Sequence, residues 1–119
     1  MKIFCHVDLD GRCSGAILTR KYPLADVKFY NYNYDWMDTF SCIEPGEPII
    51  FADITPRIED LRNLMVITKD ITIIDHHSSS YDDLQEAGLE FPGLIRTDEL
   101  GACALVLSLI HISEPTRPY

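Results

Sequence analysis

Short apolar runs recur along this chain, and each gives way to a polar break before apolar residues return at helical spacing. The runs predict strands over Lys2 to Val7, Asp26 to Tyr32, Pro48 to Ala52 and Ile71 to Ile74. Between them a helix is predicted near Ser14 to Lys21, stopped by Tyr22-Pro23. Another runs from Arg57 to about Val66; Thr55-Pro56 opens it, and Ile58, Leu61, Leu64 and Met65 recur along one side. A short turn or helix around Asp35 to Cys42 and a Pro/Gly connector from Glu44 to Pro48 separate the second and third strands. A helix around Tyr81 to Ala87, a short strand near Leu94 to Arg96 and a last helix from Leu100 complete the pattern. Repeated strand-helix units imply an α/β fold: a doubly wound, mainly parallel sheet with helices on both faces.

The candidate chemistry sits where the runs end. The first strand leads into His6-Val7-Asp8-Leu9-Asp10-Gly11, the third into Asp53, and the fourth into Asp75-His76-His77. If the first strand stays extended, alternation puts His6, Asp8 and Asp10 on one face and Cys5, Val7 and Leu9 into packing. Carboxylates gathered at strand ends repel one another unless a cation lies among them, and strand ends are where open α/β sheets place their sites. Gly11 and Gly15 around Arg12 and Ser14 would let backbone amides approach a phosphate, or simply form a tight strand-to-helix turn. Tyr30, Tyr32, Tyr34 and Trp36 alternate as a base-stacking platform would, but such a stripe is more often one packed sheet face. Ser78 to Ser80 are better placed to cap the next helix than to meet a substrate.

Composition narrows the class. The 119 residues, 46% hydrophobic and 24% charged, suffice for one modest core. No stretch has the length of a membrane span, and His6 and Asp8 break the first apolar run too soon for a signal peptide. Cys5, Cys13, Cys42 and Cys103 form no CxxC pair, and three lie in apolar contexts. They are expected to be reduced, mostly buried thiols without a disulfide partner, in a cytoplasmic protein. A net charge of -9 disfavours a grip on long nucleic acid and favours small or short substrates, a polyanion among them being able to approach a cation-filled acidic pocket.

Taken in order, HVDLDG, the strand ending in Asp53, IIDHH and the small-residue helix start LGACALV resemble the DHH phosphoesterases over Met1 to about Val106. That superfamily includes RecJ-type exonucleases, small-RNA nucleases, cyclic-dinucleotide phosphodiesterases and family II pyrophosphatases. The resemblance implies a hydrolase with two Mn²⁺ ions, Mg²⁺ or Co²⁺ being substitutes. It implies that His6 and Asp8 hold one ion, Asp10 and His76 the other, and that Asp53 bridges them. His77 would contact the phosphoryl group or leaving oxygen, and Asp75 would orient the histidines. Arg12, Ser14 and Gly11 are the candidate substrate contacts. The His6-x-Asp8-x-Asp10 spacing resembles the RecJ branch and oligonucleotide phosphodiesterases more than pyrophosphatases. The family also implies a further ligand Asp after the helix that starts at Gly101, and a glycine-rich C-terminal domain.

Neither follows in this sequence. Leu107 to Arg117 reads as the translation of a transposon mosaic end and a sequencing-adapter primer site, so 107–119 is expected to be a non-native tail. Residues 1–106 are then the N-terminal part of an incomplete DHH domain, expected to bind metal poorly and hydrolyse little by itself. Two rival classes are a haloacid-dehalogenase-like phosphatase, with Asp8 as nucleophile and Asp10 as acid/base, and a noncatalytic nucleotide- or metal-binding module. The first wants Thr where this chain has Arg12, and it gives no role to Asp-His-His.

Overall fold

The computed structural model describes residues 1–31, 34–92 and 101–113. Strands β1 (Lys2–His6), β2 (Asp26–Tyr30), β3 (Ile49–Ala52) and β4 (Ile71–Ile74) form one sheet in the order β2-β1-β3-β4, every pair parallel. The helices are α1 (Leu9–Lys21), α2 (Met37–Phe40), α3 (Ile58–Ile67), α4 (Ser78–Glu86) and α5 (Ala102–Ser113).

Strands β1, β3 and β4 are mainly apolar on both faces because both faces are covered, whereas the edge strand β2 exposes Asp26 and Lys28. Ile3, Cys5, Ile50, Ala52 and Ile74 pack with Leu18 of α1 and Leu105 and Val106 of α5. On the other face Phe4, Ile49, Phe51, Ile71 and Ile73 pack with Phe40, Leu61, Leu64 and Leu84 from α2, α3 and α4. The expected α/β class, with a parallel sheet between two helical layers, is the observed one.

The aromatic stripe belongs to this second layer. Trp36 is buried, with ring centroids 4.9 Å from Tyr30, 5.0 Å from Tyr34 and 5.5 Å from Phe4. It is a packed face, and Tyr32 lies outside the described residues.

Several boundaries move for identifiable reasons. Strand β1 stops at His6 rather than Val7, and α1 begins at Leu9, well before Ser14, because Asp8 caps it: Oδ1 accepts the Gly11 N–H at 2.8 Å. The alternating face through Asp10 therefore does not form, and Leu9, expected in packing, is 85% exposed. Gly11 is required at the bend, since a Cβ there would lie 2.0 Å from the His6 carbonyl oxygen. Helix α4 starts at Ser78 rather than Tyr81, and its N-cap is His77, so the serines lie inside the first turn instead of capping it. The expected strand at Leu94 to Arg96 and the start at Leu100 fall outside the described residues.

The cysteine expectation is corrected. Cys5 is buried and Cys42 exposed, while Cys13 on α1 is joined to Cys103 on α5 as a disulfide, with Cα atoms 5.7 Å apart. Cys13 is exposed and Cys103 half-buried, so only Cys5 matches the buried, unpaired thiol foreseen. A sequence separation of 90 leaves no local spacing signal for such a pair. No helix among the described residues is long and apolar enough to cross a membrane.

Candidate metal centre

Three neighbouring strands, β1, β3 and β4, deliver their carboxyl ends to one place. At the end of β3, Asp53 is 1% exposed and adopts φ 61°, a left-handed backbone unusual outside glycine, while its N–H is held by the Ile74 carbonyl at 2.9 Å. From β1, His6 Nδ1 lies 2.9 Å from Asp8 Oδ2 and 3.7 Å from Asp53 Oδ2. From β4, His76 Nε2 lies 3.4 Å from Asp53 Oδ1 and 3.7 Å from Asp10 Oδ2.

Among the described residues two sets of ligand atoms result, each with all members within 4.8 Å of one another: His6, Asp8 and Asp53, and Asp53, Asp75, His76 and His77. These clusters could hold a metal ion. Asp53 belongs to both. Its Oδ2 and the Nδ1 of His76 are buried with no hydrogen-bond partner among the described residues, which leaves lone pairs of Asp53 unspent at the cluster.

The electrostatics agree with a site short of positive charge. Burial above all, then the shared contact and charge of Asp8 and the charges of Asp10 and Asp75, push the Asp53 carboxyl up to about 8. Burial also pushes Asp8 upward, but the Gly11 N–H, the contact with Asp53 and the His6 imidazole outweigh it and leave Asp8 below the usual carboxylate range. Cys5, beneath the site, is raised to about 12 by burial and by the Asp53 charge, so it stays a thiol.

Asp75 has a different task. Its Oδ1 accepts His77 Nδ1–H at 2.6 Å and the His76 N–H at 2.8 Å. Its Oδ2 accepts the Thr55 hydroxyl at 2.6 Å and the Ser80 hydroxyl at 3.3 Å. It thus orients the ring of His77 and the backbone of His76, consistent with the expectation that Asp75 orients the histidines. The sequence does not single out Thr55, because Thr55-Pro56 is explained as a helix start; its place two residues after a strand-end acid is the available signal.

Asp10, Arg12, Ser14 and Gly11 each have a structural task of their own. Both Asp10 oxygens accept backbone N–H groups of α5, Ala102 at 2.7 Å and Cys103 at 2.9 Å, and Asp10 belongs to neither converging set. Arg12 is exposed, but its Nε donates to the Val7 carbonyl at 2.8 Å and its guanidinium lies 5.1 Å over the Phe29 ring. Ser14 is fully buried with its hydroxyl on the Asp10 carbonyl at 2.8 Å, so it supports the helix instead of meeting substrate. Gly11 serves the tight turn.

No family model and no curated protein matches this chain. In three dimensions it is similar to the crystal structure of an uncharacterized protein from Helicobacter pylori G27, with TM-score 0.69 and 15% identity over 96% of this chain. The match covers 37% of that protein's chain, so the present chain spans little more than a third of its length. At that identity the likeness establishes a shared parallel α/β fold.

Proposed function

We propose that this chain carries the cation-binding part of a DHH-type phosphoesterase, a hydrolase of short oligonucleotides or of linear or cyclic nucleotides. The observation that supports it most is Asp53, a buried carboxylate shared by two ligand sets, with an unpartnered oxygen and an affinity for a proton that persists to about pH 8. Such a group is compensated by a proton or by a cation. Mixed carboxylate and imidazole donors suit Mn²⁺, with Mg²⁺ or Co²⁺ as substitutes. His6 and Asp8 would hold one ion with Asp53, and His76 would hold the other. Bound there, divalent cations supply an activated water and absorb charge on phosphoryl oxygens.

The remaining steps fall to the chain's own groups. Thr55 and Ser80 fix Asp75, and Asp75 fixes His77 through Nδ1. Proton delivery to the leaving oxygen is thereby assigned to Nε2 of His77. Acidic surroundings and a net charge of -9 favour a short substrate that meets the cations over a long one gripped by its backbone.

The test is Mn²⁺-dependent cleavage of a phosphorylated dinucleotide by this chain, whose turnover is expected to be weak and to vanish when Mn²⁺ is removed with EDTA. Asp53→Asn and His77→Gln should each lower the rate about a hundred-fold or more. Label from ¹⁸O-water should enter the phosphate directly. A trapped aspartyl phosphate on Asp8 would transfer the reading to a dehalogenase-type phosphatase, and cation binding without hydrolysis would make the protein a binding module.

A further inference from the structure

Cys13 and Asp10 lie one turn apart on the same side of α1, and both reach the first turn of α5. Cys103 contributes to this junction twice, with its sulfur bound to Cys13 and its N–H on Asp10 Oδ1 at 2.9 Å. Gly101 allows the close approach, since a Cβ there would lie 3.0 Å from Asp10 Oδ1. The other Asp10 oxygen receives the Ala102 N–H at 2.7 Å and stands 3.7 Å from His76 Nε2. Asp10 is therefore poised between a helix N-terminus and the cation pocket. With both oxygens on backbone donors at the positive end of α5, its charge is partly neutralised and it is a poorer cation ligand.

We propose that Cys13–Cys103 is a thiol–disulfide exchange site that sets the cation affinity of the pocket through Asp10. The disulfide keeps the Cys103 amide on Asp10; reduction releases the first turn of α5 and lets the carboxylate turn toward His76. This rests on the metal-site reading proposed above. The co-reactant is a low-molecular-weight thiol such as glutathione, which approaches from the side of Cys13, an exposed residue, whereas Cys103 is half-buried. Its thiolate attacks Cys13 Sγ, the Cys13–Cys103 bond breaks, and Cys103 leaves as a thiolate that takes up a proton. A second thiol then displaces Cys13 from the mixed disulfide, giving two protein thiols and one oxidised glutathione, a transfer of two electrons and two protons.

The experiment is a Mn²⁺ titration of the full 119-residue chain, followed by the free-ion EPR signal, in the disulfide form and after anaerobic reduction with glutathione. Reduction is expected to tighten Mn²⁺ binding about ten- to hundred-fold, the range over which the surroundings of a ligand tune a metal site. Cys13→Ser should bind like the reduced chain with or without oxidant, and Asp10→Asn should abolish the redox dependence. Amide exchange at Ala102 and Cys103 should quicken on reduction, a readout independent of metal and of any variant's folding. Equal affinity in both redox states, or unchanged protection of those amides, overturns the proposal while leaving the metal site standing. Absence of Mn²⁺ binding in either state brings down the metal-site reading as well.

Discussion

Asp53 concentrates the site's cost in one side chain: a left-handed backbone, full burial and a carboxylate neighbour. Asn tolerates that backbone conformation and carries no charge, so Asp53→Asn should raise the melting temperature of the metal-free chain while abolishing Mn²⁺ binding. The same group sets a pH dependence. Between the ordinary carboxyl value of about 4 and the folded value of about 8, the folded chain holds a proton that the unfolded chain has released. Raising the pH through this window therefore favours unfolding. The metal-free melting temperature should fall from pH 5 to pH 8, and the slope should flatten in Asp53→Asn. Thr55 offers a subtler check. Thr55→Val removes a 2.6 Å hydrogen bond to a buried carboxylate and should cost about 2 kcal/mol in chemical denaturation, whereas Thr55→Ser should keep most of it. At this scale the sequence names His6, Asp8, Asp10, Asp53, Asp75, His76 and His77 as a converging set, because apolar runs that stop on ionisable residues mark strand ends, and of these Asp10 lies in neither ligand set. The sequence does not show the Thr55 contact, which depends on two loops meeting in space.

Among the elements, the β1–α1 turn is the least forgiving. Gly11→Ala would drive a Cβ into the His6 carbonyl, and a displacement of that strand end should cost about 3 kcal/mol or more by equilibrium unfolding. The turn also explains which boundaries were legible. Strands β3 and β4 were read to within a residue because their apolar runs are bounded by turn residues. The start of α1 was missed because Val7-Asp8-Leu9-Asp10 alternates as a strand does, while the cap that ends the alternation is a side-chain hydrogen bond from Gly11. Alternation and capping make opposite demands on the same four residues, and the cap prevails. Helix α5 posed a similar difficulty, since the carboxylate on its first turn comes from Asp10, far away in sequence.

At the scale of the molecule, a chain of charge -9 with its acids gathered at strand ends is held back by its own repulsion. A cation that binds only the folded form should relieve it. Mn²⁺ at about a hundred times its dissociation constant should add about 2.7 kcal/mol, or about 10 °C in melting temperature, reversed by EDTA and measurable by scanning calorimetry. The sheet class was legible because alternating strand and helix signals allow few topologies; the order β2-β1-β3-β4 was not, since each pairing is decided by packing across sequence-distant residues. That order gives the molecule a front and a back. The ionisable strand ends face forward, while Met1, Lys2 and Glu47 meet in an ion-paired knot behind them, with the terminal ammonium 3.3 Å and the Lys2 amine 3.1 Å from the Glu47 carboxylate. An affinity handle or surface tether fused at the amino terminus would therefore leave the forward face open, at the expense of one partly solvated ion pair. Immobilised that way, the protein would present every copy to solution in the same working orientation.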